Sequence, residues 1–360
     1  MMDRIGSRRR NAPPARRPRT PGWRLGSLAL LLALPLAGCS QQAVAPAAAS
    51  LRLGYFANVT HAPALIALDR GLFAEALGRD VMLEPHAFNA GPEAVEALFS
   101  GALDATYLGP NPAINAFARS HGEAIRIVAG CTSGGASLVV APSIASPEQL
   151  RGAKLATPQL GNTQDVALRS WLHSQNLGAG LEGGGDVAVF PQPNAQTLEA
   201  FRAGEIQGAW VPEPWASRLV LEGGGSVLVD ERSLWPDGRF VTTHLIVRTA
   251  FLREQPELVA RLLRAHVQAV DFANASPAEA REIANAVIAR VTGQSISPAV
   301  LERAWSSLTF TVDPIASSLR RSAADATAVG LLDPVDLAGI YELGPLDAIL
   351  AAAGRPPVPR

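Results

Sequence analysis

The chain has 360 residues, of which 48% are hydrophobic and 18% charged, and its formal net charge at pH 7 is −1. Eight of the 31 basic residues precede residue 39 but only one of the 32 acidic residues does, so residues 39–360 carry 23 basic and 31 acidic residues, a net charge of −8. That balance gives no positive surface for nucleic acid. The roughly 310 residues after the N-terminal region exceed the usual size of one compact core, so we expect two domains.

The N-terminus has the pattern of a lipoprotein signal peptide. Basic residues up to Arg24 precede an apolar run of twelve residues, 25–36, and the tetrapeptide LAGC ends at Cys39. A basic region, a short apolar region and a small-residue cleavage site are typical of secretory signals. A membrane-spanning helix needs about 20 apolar residues, which excludes this run as a stable anchor. We therefore predict that residues 1–38 form a signal peptide.

LAGC resembles the lipobox of bacterial lipoproteins. That resemblance implies a lipid on Cys39 and an exported protein attached to a membrane, in the periplasm or at the cell surface. An ordinary signal peptide with an unrelated cysteine is the alternative, and the export route stays open. Residues 39–50 are mostly small and polar, as in a flexible tether. With Cys39 lipidated, Cys131 has no disulfide partner, and we interpret its thiol as a small buried group.

From residue 51 the chain alternates strand-like and helix-like segments. Strand patterns cover 51–56, 81–88, 105–109, 125–130, 136–142, 153–158, 186–191, 206–211, 226–230 and 242–247. Helical spacing of apolar residues covers 62–77, 92–101, 112–122, 147–152, 163–176, 195–204 and 214–223, and helices are predicted from 251 to the end. Regular alternation with short connections predicts mostly parallel sheets covered by helices on both faces.

Polar and glycine-rich corners follow several of the predicted strands. In open parallel α/β sheets, ligands sit beyond the carboxyl ends of the strands, where helix N-termini offer free N–H groups and about half a positive charge. The candidate ligand-binding residues at these corners are Asn58, Thr60, His61, Asn89, Gly91, Pro110, Asn111, Ser133, Gly134, Gly135, Gln159, Gly161, Asn162 and Thr163. Capping and turn formation need the same residue types, so a structural role is the alternative for any one of them.

The segment GAWVPEPWASRL adds three candidates. Trp210 and Trp215 offer an apolar wall for a ligand, although such residues more often pack in a core. Glu213 would repel an anion; it could receive a cationic or N–H-rich ligand, or cap its own helix. The corners contain no Lys or Arg, which weakens the case for a strongly anion-selective site.

The sequence offers no sign of catalysis or of a cofactor. The GxGxxG match at 178–183 follows a helix and precedes a strand, the reverse of a dinucleotide-binding context. The six histidines lack the spacing of metal ligands. No nucleophile, base and oxyanion donors come together in a recognisable motif.

Five segments resemble the two-lobed periplasmic receptors of ABC importers, in the branch of nitrate, sulfonate, taurine and thiamine-precursor receptors. They are GYFANVTHAPALIALDRGLF (54–73), FNAGPEAVEALFSGALDATYLGPNPAI (88–114), TSGGASLVV (132–140), LATPQLGNTQDVALRSWL (155–172) and GAWVPEPWASRLV (208–220). The resemblance implies an α/β, type II periplasmic binding protein fold, in which each lobe has a mixed, mostly parallel sheet flanked by helices. It places lobe 1 at 51–141 plus 244–345, lobe 2 at 142–243, a C-terminal tail at 346–360, and two crossover hinge strands near 138–143 and 239–245.

The resemblance also implies a function. A monomeric receptor without a cofactor would capture a small organic anion by hinge closure and deliver it to a permease with its ATPase. Aliphatic sulfonates and taurine-like compounds are the leading ligand class. Nitrate, bicarbonate and a thiamine-pyrimidine precursor are the alternatives. An enzyme on the same fold is a further alternative, against which secretion argues.

Overall fold

The computed structural model describes residues 49–360, and their strands form two sheets. The predicted signal peptide, Cys39 and the tether up to residue 48 lie outside the described residues. The strands of this range, β1 to β11 in chain order, are Ala49–Phe56, Val81–Phe88, Ala105–Leu108, Ile125–Gly134, Ala136–Val140, Lys154–Thr157, Ala188–Pro191, Gly208–Pro212, Ser226–Asp230, Val241–Arg248 and Leu308–Phe310.

Helices cover both sheets. In chain order, α1 to α13 of the described residues are Ala62–Asp69, Leu72–Leu77, Gly91–Phe99, Pro110–Arg119, Thr163–Ser174, Asn194–Arg202, Trp215–Leu221, Thr249–Glu254, Pro256–Ala275, Pro277–Thr292, Pro298–Ser306, Ala316–Ala328 and Gly344–Ala352. The helix predicted over 62–77 is two helices, because the backbone of Gly71 adopts φ 71°, a left-handed conformation that ends α1. Between residues 49 and 360, no helix is both long and apolar enough to cross a membrane.

Each lobe contains one mixed sheet. The first sheet has the order β11-β4-β10-β3-β1-β2 and the second has the order β7-β6-β8-β5-β9. Only β10 and β11 in the first sheet and β5 in the second run opposite to their companions. The predicted α/β class, with mixed, mostly parallel sheets flanked by helices in two lobes, is confirmed.

The lobe boundaries differ from the predicted ones. The strand β5 pairs with β8 and β9 in the second sheet, so the first crossing lies at Gly135 and not within 138–143. Both Gly134 and Gly135 have positive φ, 79° and 76°, which lets the chain change direction there. The second crossing is the segment 231–240, between β9 and β10. An apolar run such as 136–142 has the same pattern in either sheet, so the sequence did not locate the crossing.

The predicted C-terminal tail, 346–360, belongs to the core of lobe 1. In this segment Leu346, Leu350 and Val358 are buried with the apolar side chains of that lobe. The short strand β11 was also missed, because three residues between two helices leave no readable period. The interpretation of Cys131 is confirmed, since its side chain is fully buried and burial raises the pKa of its thiol to about 12.

Candidate functional site

A small cavity of about 50 Å³ lies between the lobes, at the carboxyl ends of strands from both sheets. Its lining includes seven of the predicted ligand-binding residues: Asn58, Thr60, His61, Asn89, Gly91, Asn162 and Thr163. The remaining lining residues are Phe56, Ala90, Gly109, Pro112, Pro158, Gln164, Asn194, Pro212, Thr242 and Thr243. We call this space the inner cavity. None of its lining residues is Asp, Glu, Lys or Arg.

A second space of about 330 Å³, the outer cavity, shares six lining residues with the first: Phe56, Asn58, Asn89, Ala90, Pro158 and Asn194. It adds two predicted residues, Gln159 and Trp215, and one charged side chain, Glu93. The guanidinium of Arg218 lies 4.7 Å from the centre of the Trp215 ring but does not line this space. The two cavities together form a cleft with polar walls.

The lobe 1 wall is built by the turn after β1. Asn58 caps a short 3-10 helix by accepting a hydrogen bond from the backbone N–H of Thr60, at 3.4 Å. The backbone N–H of Phe56 donates to Nδ1 of His61 at 3.3 Å, which leaves the ring proton on Nε2. Burial lowers the pKa of His61 to about 3. At neutral pH this ring is therefore uncharged and offers one N–H donor.

The lobe 2 wall is the loop before α5, held by a buried ion pair. Asp165 accepts hydrogen bonds from Thr157 Oγ1 at 2.8 Å and from the backbone N–H of Gly161 at 3.0 Å. Its partner is Arg169 Nε at 3.2 Å, and both side chains are almost fully buried. Asn162 caps the same helix by accepting from the N–H of Asp165. Sequence reasoning missed this pair, although an acid and an Arg four residues apart at a helix start are a recognisable signal.

The two walls approach each other where the corner after β3 meets α5. A Cβ atom placed on Gly109 would lie 2.5 Å from Thr163 Oγ1, so a larger residue here would require the Thr163 side chain or the lobes to move. The helices α3, α5 and α6 begin at lining residues of the cleft, with Gly91, Thr163 and Asn194 as their first residues. Backbone N–H groups from both lobes are thus available at one place.

Four buried polar atoms of the cleft have no hydrogen-bond partner among the described residues: Gln159 Oε1, Gln192 Nε2, Asn194 Oδ1 and Thr243 Oγ1. Buried polar groups are almost always paired with protein or water, so these four atoms are the ones in the cleft that are available to a bound ligand or to water. The sequence suggested only Gln159. Gln192 and Asn194 lie in a proline-rich turn that follows a strand, and this position could have identified both as candidate ligand-binding residues. Thr243 lies inside a strand, so its sequence position did not indicate a place in the cleft.

Trp210 and Glu213, two of the predicted ligand-binding residues, lie outside both cavities. Trp210 is fully buried in the core of lobe 2, where its Nε1–H donates to Glu231 Oε2 at 2.7 Å. Glu213 caps α7, since its carboxylate accepts from the N–H and the Oγ–H of Ser217, both at 3.0 Å. Burial raises the pKa of Glu213. In this structure Trp210 therefore has the alternative role of core packing, and Glu213 has the alternative role of helix capping.

The other predicted residues also lie outside the two cavities. Pro110 and Asn111 are buried at the start of α4, and Asn111 Nδ2 donates to the backbone oxygen of Ser322 at 3.2 Å. Gly161 belongs to the loop held by Asp165 and Gly135 to the first crossing, and neither lines the cleft.

Ser133 and Gly134 line a separate groove of about 600 Å³, together with Arg232 and Arg239. Within residues 49–360, no three His, Cys, Asp or Glu side chains come together as a metal site would require.

Residues 44–289 match the NMT1-like family. The taurine-binding periplasmic protein of Escherichia coli (strain K12) is 29% identical over 211 residues, which are 58% of this chain and 62% of that protein. The chain thus spans less than two thirds of that relative's length. Two solved structures share the fold. The alkanesulfonate-binding protein SsuA from Xanthomonas axonopodis pv. citri, bound to MOPS, superposes with a TM-score of 0.64 at 22% identity, covering 79% of this chain and 95% of that one. The periplasmic nitrate-binding protein NrtA from Synechocystis PCC 6803 gives a TM-score of 0.72 at 16% identity, covering 84% and 88%.

Proposed function

Since the chain belongs to the NMT1-like family, we propose that it is the substrate-binding component of an ABC importer, a receptor that closes two lobes around a small organic anion. The ligand is an aliphatic sulfonate or a taurine-like compound. Delivery requires docking of the closed receptor on a membrane permease with its ATPase. The observation that carries this proposal is the cleft, where polar corners and helix N-termini of both lobes surround buried polar atoms that have no hydrogen-bond partner within residues 49–360.

The relatives favour binding over catalysis. The names of the compared proteins state taurine binding, alkanesulfonate binding and nitrate binding. As part of the same proposal, the protein is exported, held at the membrane by a lipid on Cys39, and active as a monomer without a cofactor.

The walls of the inner cavity suit an anion without using a cation. Free N–H groups at the starts of α3 and α5 carry partial positive charge. The hydroxyl of Thr243 and Nε2–H of His61 add side-chain donors. Donors that are fixed in a buried site stabilise an anion without the desolvation cost of a buried Lys or Arg.

The sizes of the two spaces favour an organic anion over nitrate or bicarbonate. A compact head group matches the inner cavity of about 50 Å³, and the outer cavity of about 330 Å³ provides room for a carbon chain. Nitrate and bicarbonate have no chain to place there.

The decisive test is a ligand screen with the purified protein by thermal shift and calorimetry. The probes are taurine, alkanesulfonates, nitrate, bicarbonate and a hydroxymethylpyrimidine. A ligand at 100 times its Kd stabilises the protein by about 2.7 kcal/mol. Stabilisation by sulfonates is expected. If only pyrimidines stabilise the protein, the sulfonate assignment is wrong, and if no probe does, this receptor proposal is wrong.

A pair of isosteric variants locates the site. Thr243→Val removes an unpartnered hydroxyl from the inner cavity, so it should weaken sulfonate binding about tenfold or more without lowering the stability of the free protein. Thr106→Val is the matched control: that buried hydroxyl donates to the backbone oxygen of Tyr107 and lines neither cavity. The control should lose stability and keep its affinity. If Thr106→Val weakened binding and Thr243→Val did not, the ligand would bind outside the inner cavity.

A further inference from the structure

The second crossing between the lobes begins with a buried carboxyl group. Glu231 is 2% exposed and accepts a hydrogen bond from Trp210 Nε1, in the core of lobe 2, at 2.7 Å. Within the described part of the chain, the charged groups that face it are two acids, Asp230 beside it in the chain and Asp325 of α12. Asp230 is itself paired with Arg232 at 2.6 Å. The carboxyl group of Glu231 therefore lies at a place without a counter-charge of its own.

The helix α12 covers this crossing from lobe 1. Its Leu319 side chain is buried in a core cluster of that lobe. On the adjoining turn, Arg321 Nη1 donates to the backbone oxygen of Leu234 at 2.8 Å, and the guanidinium lies 4.7 Å from the centre of the Trp235 ring. Both partners of Arg321 belong to the crossing. The helix thus holds the crossing against lobe 1.

The same helix also contacts lobe 2. Asp325, one turn after Arg321, is partly buried and faces Ser170 of α5. Its ion-pair partner is Arg321, whose Nε lies 3.7 Å from Asp325 Oδ2. Opening of the cleft moves lobe 2 relative to lobe 1, so it must shift these contacts. Water then gains access to Glu231, and the carboxylate of Asp325 moves away from it.

Proton binding at Glu231 depends on this covering. Burial is the largest cause that raises its pKa to about 7, and the negative charges of Asp230 and Asp325 act in the same direction, while the hydrogen bond from Trp210 opposes them. In the open form the pKa should fall toward its ordinary value of 4.5. The closed form thus binds the proton more tightly, so the proton stabilises closure at low pH and this contribution is lost as pH rises through about 7.

We propose that the receptor is proton-linked at its hinge: a proton on Glu231, where α12 covers the second crossing, favours the closed form and tightens ligand binding at acidic pH. This inference rests on the proposed function and adds a regulation that lies outside the binding cleft. The histidine of the inner cavity does not contribute to it. Burial lowers the pKa of His61 to about 3, so that ring stays uncharged above pH 5.

The test is the Kd of propane-1-sulfonate, measured by calorimetry at about pH 5.5 and about pH 8, because a sulfonate keeps its single charge over this range. Each unit by which the pKa of Glu231 falls on opening can change Kd by up to about tenfold. The wild type should bind about three- to tenfold more weakly at the higher pH. Glu231→Gln is neutral at both pH values and should keep the low-pH affinity. Asp325→Asn removes a facing charge and should reduce the pH dependence.

Asp237→Asn is the matched control. Asp237 is an exposed acid of the same crossing that lines neither cavity of the cleft, and its φ of 53° is a conformation that asparagine adopts readily. This variant should keep the pH dependence of the wild type. Small-angle X-ray scattering of the ligand-free wild type needs no variant: the radius of gyration should be larger at the higher pH.

Equal wild-type Kd values at the two pH values, or an unchanged pH dependence in Glu231→Gln, would overturn the inference while the sulfonate receptor stands. The same holds if Asp237→Asn removes the pH dependence as fully as Glu231→Gln does. If propane-1-sulfonate binds at neither pH, the sulfonate assignment fails instead. The scattering measurement then decides the inference, and an unchanged radius of gyration overturns it.

Discussion

The contact between Gly109 and α5 predicts how strongly lobe closure depends on one missing side chain. The backbone of Gly109 has φ −69° and ψ 161°, which alanine adopts without strain. A Cβ atom there would lie 2.5 Å from Thr163 Oγ1, whereas ordinary contact begins at 3.4 Å. In Gly109→Ala the lobes must therefore separate by about 0.9 Å at this point, or the side chain of Thr163 must move.

The magnitude follows from the cost of overpacking. An extra methyl group in a close contact costs about 1–3 kcal/mol. Because the two residues belong to different lobes, the cost falls on the closed form alone, and opening relieves it. The apparent Kd should rise by the same free energy, about five- to 150-fold. Thermal unfolding of the ligand-free protein should change little.

Calorimetry with the best ligand of the screen gives the Kd, and small-angle X-ray scattering reports closure as a change in radius of gyration. Gly178→Ala is the control, because its Cβ would meet only Asp186 Oδ2, at an ordinary 3.5 Å. The double variant Gly109→Ala/Thr163→Ala should close again, although it lacks one lining hydroxyl. If Gly109→Ala binds and scatters like the wild type, this contact does not control closure.

Four other predictions concern stability. Burial, partly offset by the hydrogen bond from Trp210, raises the pKa of Glu231 to about 7. The folded form thus holds this proton more tightly than the unfolded form, so stability should fall by roughly 3 kcal/mol as pH rises from about 4.5 to 7, and urea midpoints of Glu231→Gln should show a smaller fall. Arg169→Leu leaves Asp165 buried without its partner and should cost about 3–5 kcal/mol in urea unfolding, while Arg169→Leu/Asp165→Asn should recover part of that loss. Trp210→Phe should lower the free energy of unfolding by about 1–3 kcal/mol and leave the Kd unchanged; an altered Kd would restore its predicted role at the ligand. Leu350→Ala should cost about 2–5 kcal/mol, whereas a loss below 0.5 kcal/mol would mark a surface tail.

Much of the site could be predicted because it consists of local structure. The turn after β1 and the loop before α5 contain their own capping residues, Asn58 and Asn162, and both of these candidate residues line the inner cavity. A corner that follows a parallel strand lies at the carboxyl edge of its sheet, whatever the order of the strands in that sheet. Residue type and position in the alternation were enough to propose these residues.

The predicted residues that lie outside the cleft, and the lining residue that was not predicted, owe their positions to long-range packing. Ser133 and Trp210 have the same local patterns as the residues that line the cleft. Because of how β4 and β8 pair in their sheets, Ser133 lines the separate groove and Trp210 lies in the core of lobe 2. Thr243 lines the cleft because β10 begins where the chain returns from the second sheet to the first, which no local pattern shows.

The amino-acid sequence alone determined the alternation of strands and helices, the α/β class and the polar corners, because side-chain periodicity and capping act over a few residues. Only the tertiary structure decided which corners meet, where the chain crosses between lobes and which polar atoms remain without a partner. Those features depend on contacts between segments that are far apart in the chain, such as the hydrogen bond from Thr242 to Gly134, 108 residues away. A pattern that repeats every two to four residues carries no information about such distances.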